Sequence, residues 1–341
     1  NLARVPGAVA ADFVSITDGS TVTVATTAPD AFAPLGSLTI GSTSTLNVDA
    51  DLPATKVLTI SGVLDINGGT FTIDNADAGH KVSGTGLIKV QSGTLQTTAT
   101  IAQRVDNYEC AFEISGGTVN IGHQAYYTGG LTVIGDAATL NIDYWNGAGV
   151  FTFEMGASGI STIDGSGSWG HLGAASITVD GSAYTGGSAA FTLFKSSNLA
   201  STSTAVTVTG FAAEYTAEVT QDMGTDLVTL TITAPPYKDW LVDYDLTGAD
   251  ALSTANPDGD VVNNLYEYGL GGDPTNNADV GMDSAMIVGA GYMDYVHVRR
   301  VGASNEISYA LALTGSLVHG PWTTNAGYTV EGYGPEVDGF D

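Results

Sequence analysis

The sequence predicts an all-β protein: a β-solenoid, then a short helix-loop-helix segment, then a small C-terminal β module. Three observations lead there. Between Thr21 and Thr233 very short runs alternate apolar residues with Thr, Asn, Asp or Glu, and Gly, Ser, Asn and Asp separate them. These runs recur at steps of about 18 to 25 residues, a length that suits one rung of a stacked coil. Finally, the stretch Asn256–Glu267 spaces oxygen donors as a calcium loop does.

Taken in order, the runs are Leu38-Thr-Ile40, Leu46-Asn-Val48, Leu58-Thr-Ile60, Leu64-Asp-Ile66, Phe71-Thr-Ile73 and Leu87-Ile-Lys-Val90. They continue through Phe112-Glu-Ile114, Val119-Asn-Ile121, Leu131-Thr-Val133, Leu140-Asn-Ile142, Phe151-Thr-Phe153, Ile177-Thr-Val179 and Val206-Thr-Val208. Each has one face to bury and one polar face. A β-sandwich or jelly roll also makes short strands with glycine turns, so it stands as the alternative architecture. Longer runs at Ala189–Phe194, Tyr215–Val219 and Leu227–Ile232 suit a small antiparallel sheet that closes the end of the stack, where open edges need cover.

Several of these segments resemble a known type. Val5-Pro-Gly7, Asp12–Ile16 and Asp18–Val24, followed by the rungs Gly36-Ser-Leu38-Thr-Ile40, Gly62-Val-Leu64-Asp-Ile66 and Gly117-Thr-Val119-Asn-Ile121, resemble right-handed β-helix proteins. The type is that of autotransporter passengers and PEP-CTERM surface proteins. The resemblance covers about residues 5 to 233 and implies a right-handed coil, a bacterial surface setting and roles in surface layers, adhesion and matrix.

Ala234-Pro-Pro236 reads as a boundary, which gives a solenoid over 1–234, a connector over 235–280 and a β module over 281–341. In the connector, Trp240, Leu241 and Tyr244 stand at helical spacing before the loop, and Leu265 and Tyr268 follow it. Gly269, Gly271, Gly272 and Pro274 end the second helix. In the last part Tyr295–Val298 and Ile307–Leu313 read as strands. Alternation still runs at Tyr328-Thr-Val330, as expected of a module that is incomplete at Asp341.

Within the loop, the predicted ligands are Asn256, Asp258, Asp260, the carbonyl of Val262, Asn264 and Glu267, and the predicted cofactor is calcium. Residues 239–283 carry ten Asp or Glu and no Lys or Arg. Two carboxylates held about 4 Å apart repel by roughly 4 kcal/mol at an effective dielectric near 20, so a compact loop needs a cation. Position six, usually Gly at a sharp turn, is Val261, whose branched Cβ resists a positive φ. The segment over about 239–276 resembles dockerin-like and thrombospondin-type calcium repeats. A second complete loop is missing, which argues against cohesin binding.

No comparable constellation for catalysis appears. His80, His123, His171, His297 and His319 stand singly, and no Gly-x-Ser-x-Gly elbow lies between a strand and a helix. Asp143, Glu154 and Asp164 are the acids a polysaccharide lyase or glycoside hydrolase would draw on. A lyase also wants a basic residue, however, and Arg104 is the one arginine between Arg4 and Arg299. Tyr126, Tyr127, Tyr144, Trp145 and Trp169 are the candidate sugar-stacking faces, or else core and inter-coil packing.

Composition narrows the partners. Net charge is −27 although charged residues make up 13 % of the chain, so nucleic acid and anionic membrane are poor partners. Cys110 is the single cysteine, which excludes an intramolecular disulfide and leaves packing, strand pairing and metal as stabilising devices. No apolar run is long enough to insert in a membrane. Calcium is plentiful outside cells, so the expected setting is extracellular or the cell surface. The expected role is structural, by self-assembly into a homopolymer, with polysaccharide binding as a carbohydrate adhesin and polysaccharide cleavage as the alternatives.

Overall fold

A computed structural model describes residues 13–25, 35–74, 81–98, 105–147, 149–203, 205–291, 293–301, 307–314, 320–324, 330, 333 and 340. Its backbone falls into two compact units, Asn1–Thr233 and Ala234–Asp341.

The first unit is the β-solenoid. One column stacks nine strands, all parallel: Thr21–Val24, Thr45–Val48, Val63–Ile73, Leu87–Thr97, Ala111–Ile114, Leu131–Ile134, Val150–Glu154, Ser176–Asp180 and Ala205–Thr209. The register explains the alternation. Leu46, Leu64, Ile88, Phe112, Leu131, Phe151 and Ile177 fall opposite one another and are buried. Their neighbours Thr23, Asn47, Asp65, Lys89, Glu113, Thr132, Thr152, Thr178 and Thr207 form an outward polar row. Asn47 Nδ2 donates to Thr23 Oγ1 at 3.3 Å, and Lys89 Nζ meets Glu113 Oε1 at 2.7 Å. Each fully buried Leu, Ile or Phe contributes about 1.5–3 kcal/mol, so the inward row, not the exposed ion pair, holds the rungs.

A second column runs through Thr70–Ile73, Thr94–Thr97, Gly117–Tyr127, Ala138–Gly147, Ile163–His171 and Ala189–Ser201. Glycines turn the corner between columns: Gly93 (φ 79°) and Gly117 (φ 69°) stack so that a Cβ on Gly117 would lie 2.5 Å from the Gly93 carbonyl oxygen. Rung length departs from the predicted range toward the end of the stack. Phe151 pairs with Ile177, 26 residues on, and Ile177 with Val206, 29 residues on, the second step containing the longer Ala189–Ser201 strand. The expected closing sheet is present: Leu227–Thr233 pairs antiparallel with both Ala189–Ser201 and Thr216–Asp222.

The second unit holds helix α1 (Pro236–Asp243), a 3-10 turn (Gly248–Ala251) and helix α2 (Asn264–Leu270). Two small antiparallel pairs follow, Ala285–Val288 with Met293–Val296 and Ala312–Leu313 with Thr323–Thr324. Trp240, Leu241 and Tyr268 form its buried cluster, with Tyr237, Tyr244 and Ile307 packed against it. In α2 Tyr268 and Glu267 take the inward positions, and Leu265 is 40 % exposed. Ile307–Leu313 supplies two strand residues rather than seven. Connector and terminal module share this unit because residues 300, 307 and 309 contact α2 directly.

Candidate metal centre

The loop folds on its own short-range hydrogen bonds. Asn256 Oδ1 accepts from Gly259 N–H at 2.8 Å, and Asn256 Nδ2 donates to the Asp260 carbonyl at 2.9 Å. Asp258 Oδ1 accepts from Asp260 N–H at 3.2 Å, and Asp260 Oδ1 accepts from Val262 N–H at 2.7 Å. The left-handed residue is Gly259 (φ 76°). Val261 keeps a negative φ and points outward, 89 % exposed, so the branched residue at position six imposes no strain. Asn263 then caps α2, its Oδ1 accepting from Tyr266 N–H at 3.2 Å.

These contacts consume one oxygen of each aspartate and leave the other. Asp258 Oδ2, Asp260 Oδ2 and both Glu267 carboxylate oxygens are buried with no hydrogen-bond partner. One ligand atom from each of Asp258, Asp260 and Glu267 lies within 4.8 Å of the other two. Glu267 is fully buried, and its carboxyl is pushed up to about 7, by burial first and then by the charges of Asp258, Asp260, Asp273 and Asp279. An unpaired buried carboxylate is costly, and three facing one another are more so. The group can hold a metal ion, and its all-oxygen donor set suits a hard cation rather than a thiophilic one.

Asn264 supports the arrangement from the first turn of α2. Its Nδ2 donates to the carbonyls of Asp250 (2.7 Å) and Leu252 (3.0 Å), and its Oδ1 is buried without a partner. Asn256, at position one, is exposed and braces the loop as described; Val262 enters through its N–H. Sequence reasoning missed Tyr237. Burial raises its phenol, Asn264 opposes the shift and the charge of Glu267 adds to it, which sets α1 against the centre. Its place just after Pro235-Pro236, one helical turn before Trp240 and Leu241, was the available signal.

Of the five candidate sugar-stacking residues, two side chains, those of Tyr127 and Trp169, lie among the described residues. Tyr127 is a correction: it is 1 % exposed, its ring 5.6 Å from Phe112 and 6.3 Å from Phe151, on the inward side with Val119 and Ile121 of the same strand. Trp169 is 46 % exposed, its ring 5.8 Å from that of His171. The side chains of Tyr126, Tyr144 and Trp145 lie outside the described residues. Among the candidate acids, burial and the charge of Asp164 raise Asp143, while Asp164 faces Lys195 at 3.7 Å. Glu154 sits in the other column, opposite Asp180. Cys110 is buried, which pushes its thiol up to about 12 and makes it unreactive.

The chain matches no family model, no curated protein and no solved structure. No helix among the described residues is long and apolar enough to cross a membrane.

Proposed function

We propose that this chain is a calcium-stabilised structural protein of the bacterial exterior, secreted or held at the cell surface, which assembles with copies of itself into a filament, surface layer or matrix. The observation that carries the reading is Glu267, a fully buried carboxylate with both oxygens unpartnered, facing Asp258 and Asp260. Calcium is the cation that three carboxylates and the unpartnered amide oxygen of Asn264 suit best, and it is abundant only outside cells. Asp258, Asp260 and Glu267 would hold it; the ion would neutralise them and fix α2 against α1.

Assembly is supported by strand edges. Among the described residues, Phe13–Ile16 and Thr21–Val24 each pair with one strand, and a solenoid's end strands are the kind of edge on which a further strand can add. The net charge of −27 argues against nucleic acid and anionic lipid as partners. A second reading, a carbohydrate-binding adhesin, draws on the exposed Trp169 ring beside His171.

Calorimetric titration with CaCl2, followed by electron microscopy of the same sample, tests the proposal. Saturable calcium binding and ordered polymers are expected. A chain that binds no calcium at millimolar concentration and stays monodisperse overturns it.

A further inference from the structure

We infer that cation binding at the Asp258–Asp260–Glu267 centre stabilises the described C-terminal pieces that α2 holds, namely Met282, Arg300 and Tyr309 together with the hairpin Ala285–Val288/Met293–Val296, an inference that rests on the calcium reading above. The link is α2. Glu267 is a ligand of the centre, and the three residues after it each give a carbonyl to the C-terminal part of the unit. Tyr268 O accepts from Arg300 Nε at 2.8 Å, Gly269 O from Tyr309 Oη at 2.7 Å, and Leu270 O from Met282 N–H at 2.8 Å. Tyr309 Oη also accepts from Arg300 N–H at 3.0 Å. The Arg300 guanidinium lies 4.1 Å from the centre of the Tyr268 ring and 4.7 Å from that of Phe340, to which Arg300 also makes a β-bridge. There is no slack in this contact, since a Cβ on Gly269 would stand 2.7 Å from Ile307 Cδ1.

These are the last-turn carbonyls that a helix otherwise leaves to water, and a cation at that end is favoured by the helix dipole. A helix of seven residues does not persist in water alone. Its order therefore comes from the loop at one end and from Arg300, Tyr309 and Met282 at the other. The C-terminal strands are no more self-sufficient. In the hairpin Ala285–Val288/Met293–Val296, Met286, Ile287, Val288, Met293 and Val296 are all more than half exposed, so the pair buries almost nothing. Two marginal elements that share one helix stabilise each other, and the coupling is reciprocal: whatever calcium adds to the strands, ordered strands add to calcium affinity.

Hydrogen exchange of the full chain, with and without CaCl2, reads the coupling. Amides of residues 285–296 should exchange about tenfold slower or more with calcium, while those of 63–66 and 87–90 in the solenoid should not change. Arg300→Ala should abolish that protection and weaken calcium binding by the factor by which protection falls. Calcium binding seen by calorimetry with unchanged hairpin exchange overturns the coupling and leaves the centre standing. Retained protection in Arg300→Ala overturns it as well. An absence of calcium binding removes the centre and the coupling together.

Discussion

The Tyr127 ring stacks on that of Tyr108 inside the solenoid, 5.5 Å between centroids and 11° between planes. Both are fully buried, on neighbouring strands in register. An aromatic that the sequence offers as a sugar platform is thus part of the core. Tyr127→Ala should cost about 3–5 kcal/mol, read as a lower midpoint in urea, and Trp169→Ala should stay within about 0.5 kcal/mol of the parent. Retention on a polysaccharide column that Trp169→Ala removes would support the adhesin reading; no retention of the parent would end it.

Glu267→Gln should reverse sign with calcium. In stripped protein the substitution removes a buried charge that repels Asp258 and Asp260, so the variant should melt above the parent. At millimolar calcium it lacks a charged ligand, and it should melt below. Thermal scans in both conditions give the crossing, and parallel shifts in both would refute the assigned role.

The same residue sets a pH dependence. The folded-state value of Glu267 is about 7, against an ordinary 4.5, so the folded, calcium-free chain holds this proton more tightly than the unfolded chain does. Its contribution to stability is fully present below about 4.5 and is lost as pH rises through about 7. Stripped protein should therefore lose stability between pH 5 and 8 by more than Glu267→Gln does. Calcium affinity should run the other way and weaken as the pH falls below 7.

Gly259→Ala and Val261→Gly test where the loop turns. Ala at Gly259 must adopt φ 76°, at about 1–2 kcal/mol, and should weaken calcium binding. Val261 is exposed with ordinary backbone angles, so Val261→Gly should leave affinity unchanged. A rise in affinity on Val261→Gly would show that position six is strained after all.

Gly117→Ala puts a Cβ 2.5 Å from the Gly93 carbonyl at φ 69° and should cost about 2 kcal/mol or more. A midpoint equal to the parent's in urea would mean that the corner is not close-packed.

The fold was legible where burial has a period. Leu64, Ile66, Ile88 and Val90 alternate with Asp65 and Lys89 in sequence, and in the rungs the first four are buried while Asp65 and Lys89 are half-buried on the outward row. The grouping of Asp258, Asp260 and Glu267 was legible because the three stand within ten residues on one loop and the helix that follows it. Tyr127 stood open in the sequence between a sugar face and the core, because its inward neighbours Tyr108 and Phe112 come from other rungs; it keeps the inward phase of Val119 and Ile121 across the register shift between Ile121 and Gln124.

By itself, then, the sequence determined the rungs, the closing sheet and the spacing of Asp258, Asp260 and Glu267, since each depends on residues close together in the chain or on repetition. Only the tertiary structure decided that Glu267 is buried with both oxygens unpartnered, that Tyr237 packs against the centre, and that Arg300 and Tyr309 hold the last carbonyls of α2. Those contacts span 30 to 40 residues, as Arg300 with Tyr268 and Tyr309 with Gly269 do, and no periodicity announces them. They form because helix-end carbonyls and buried charge must find partners, and the chain alone does not say which.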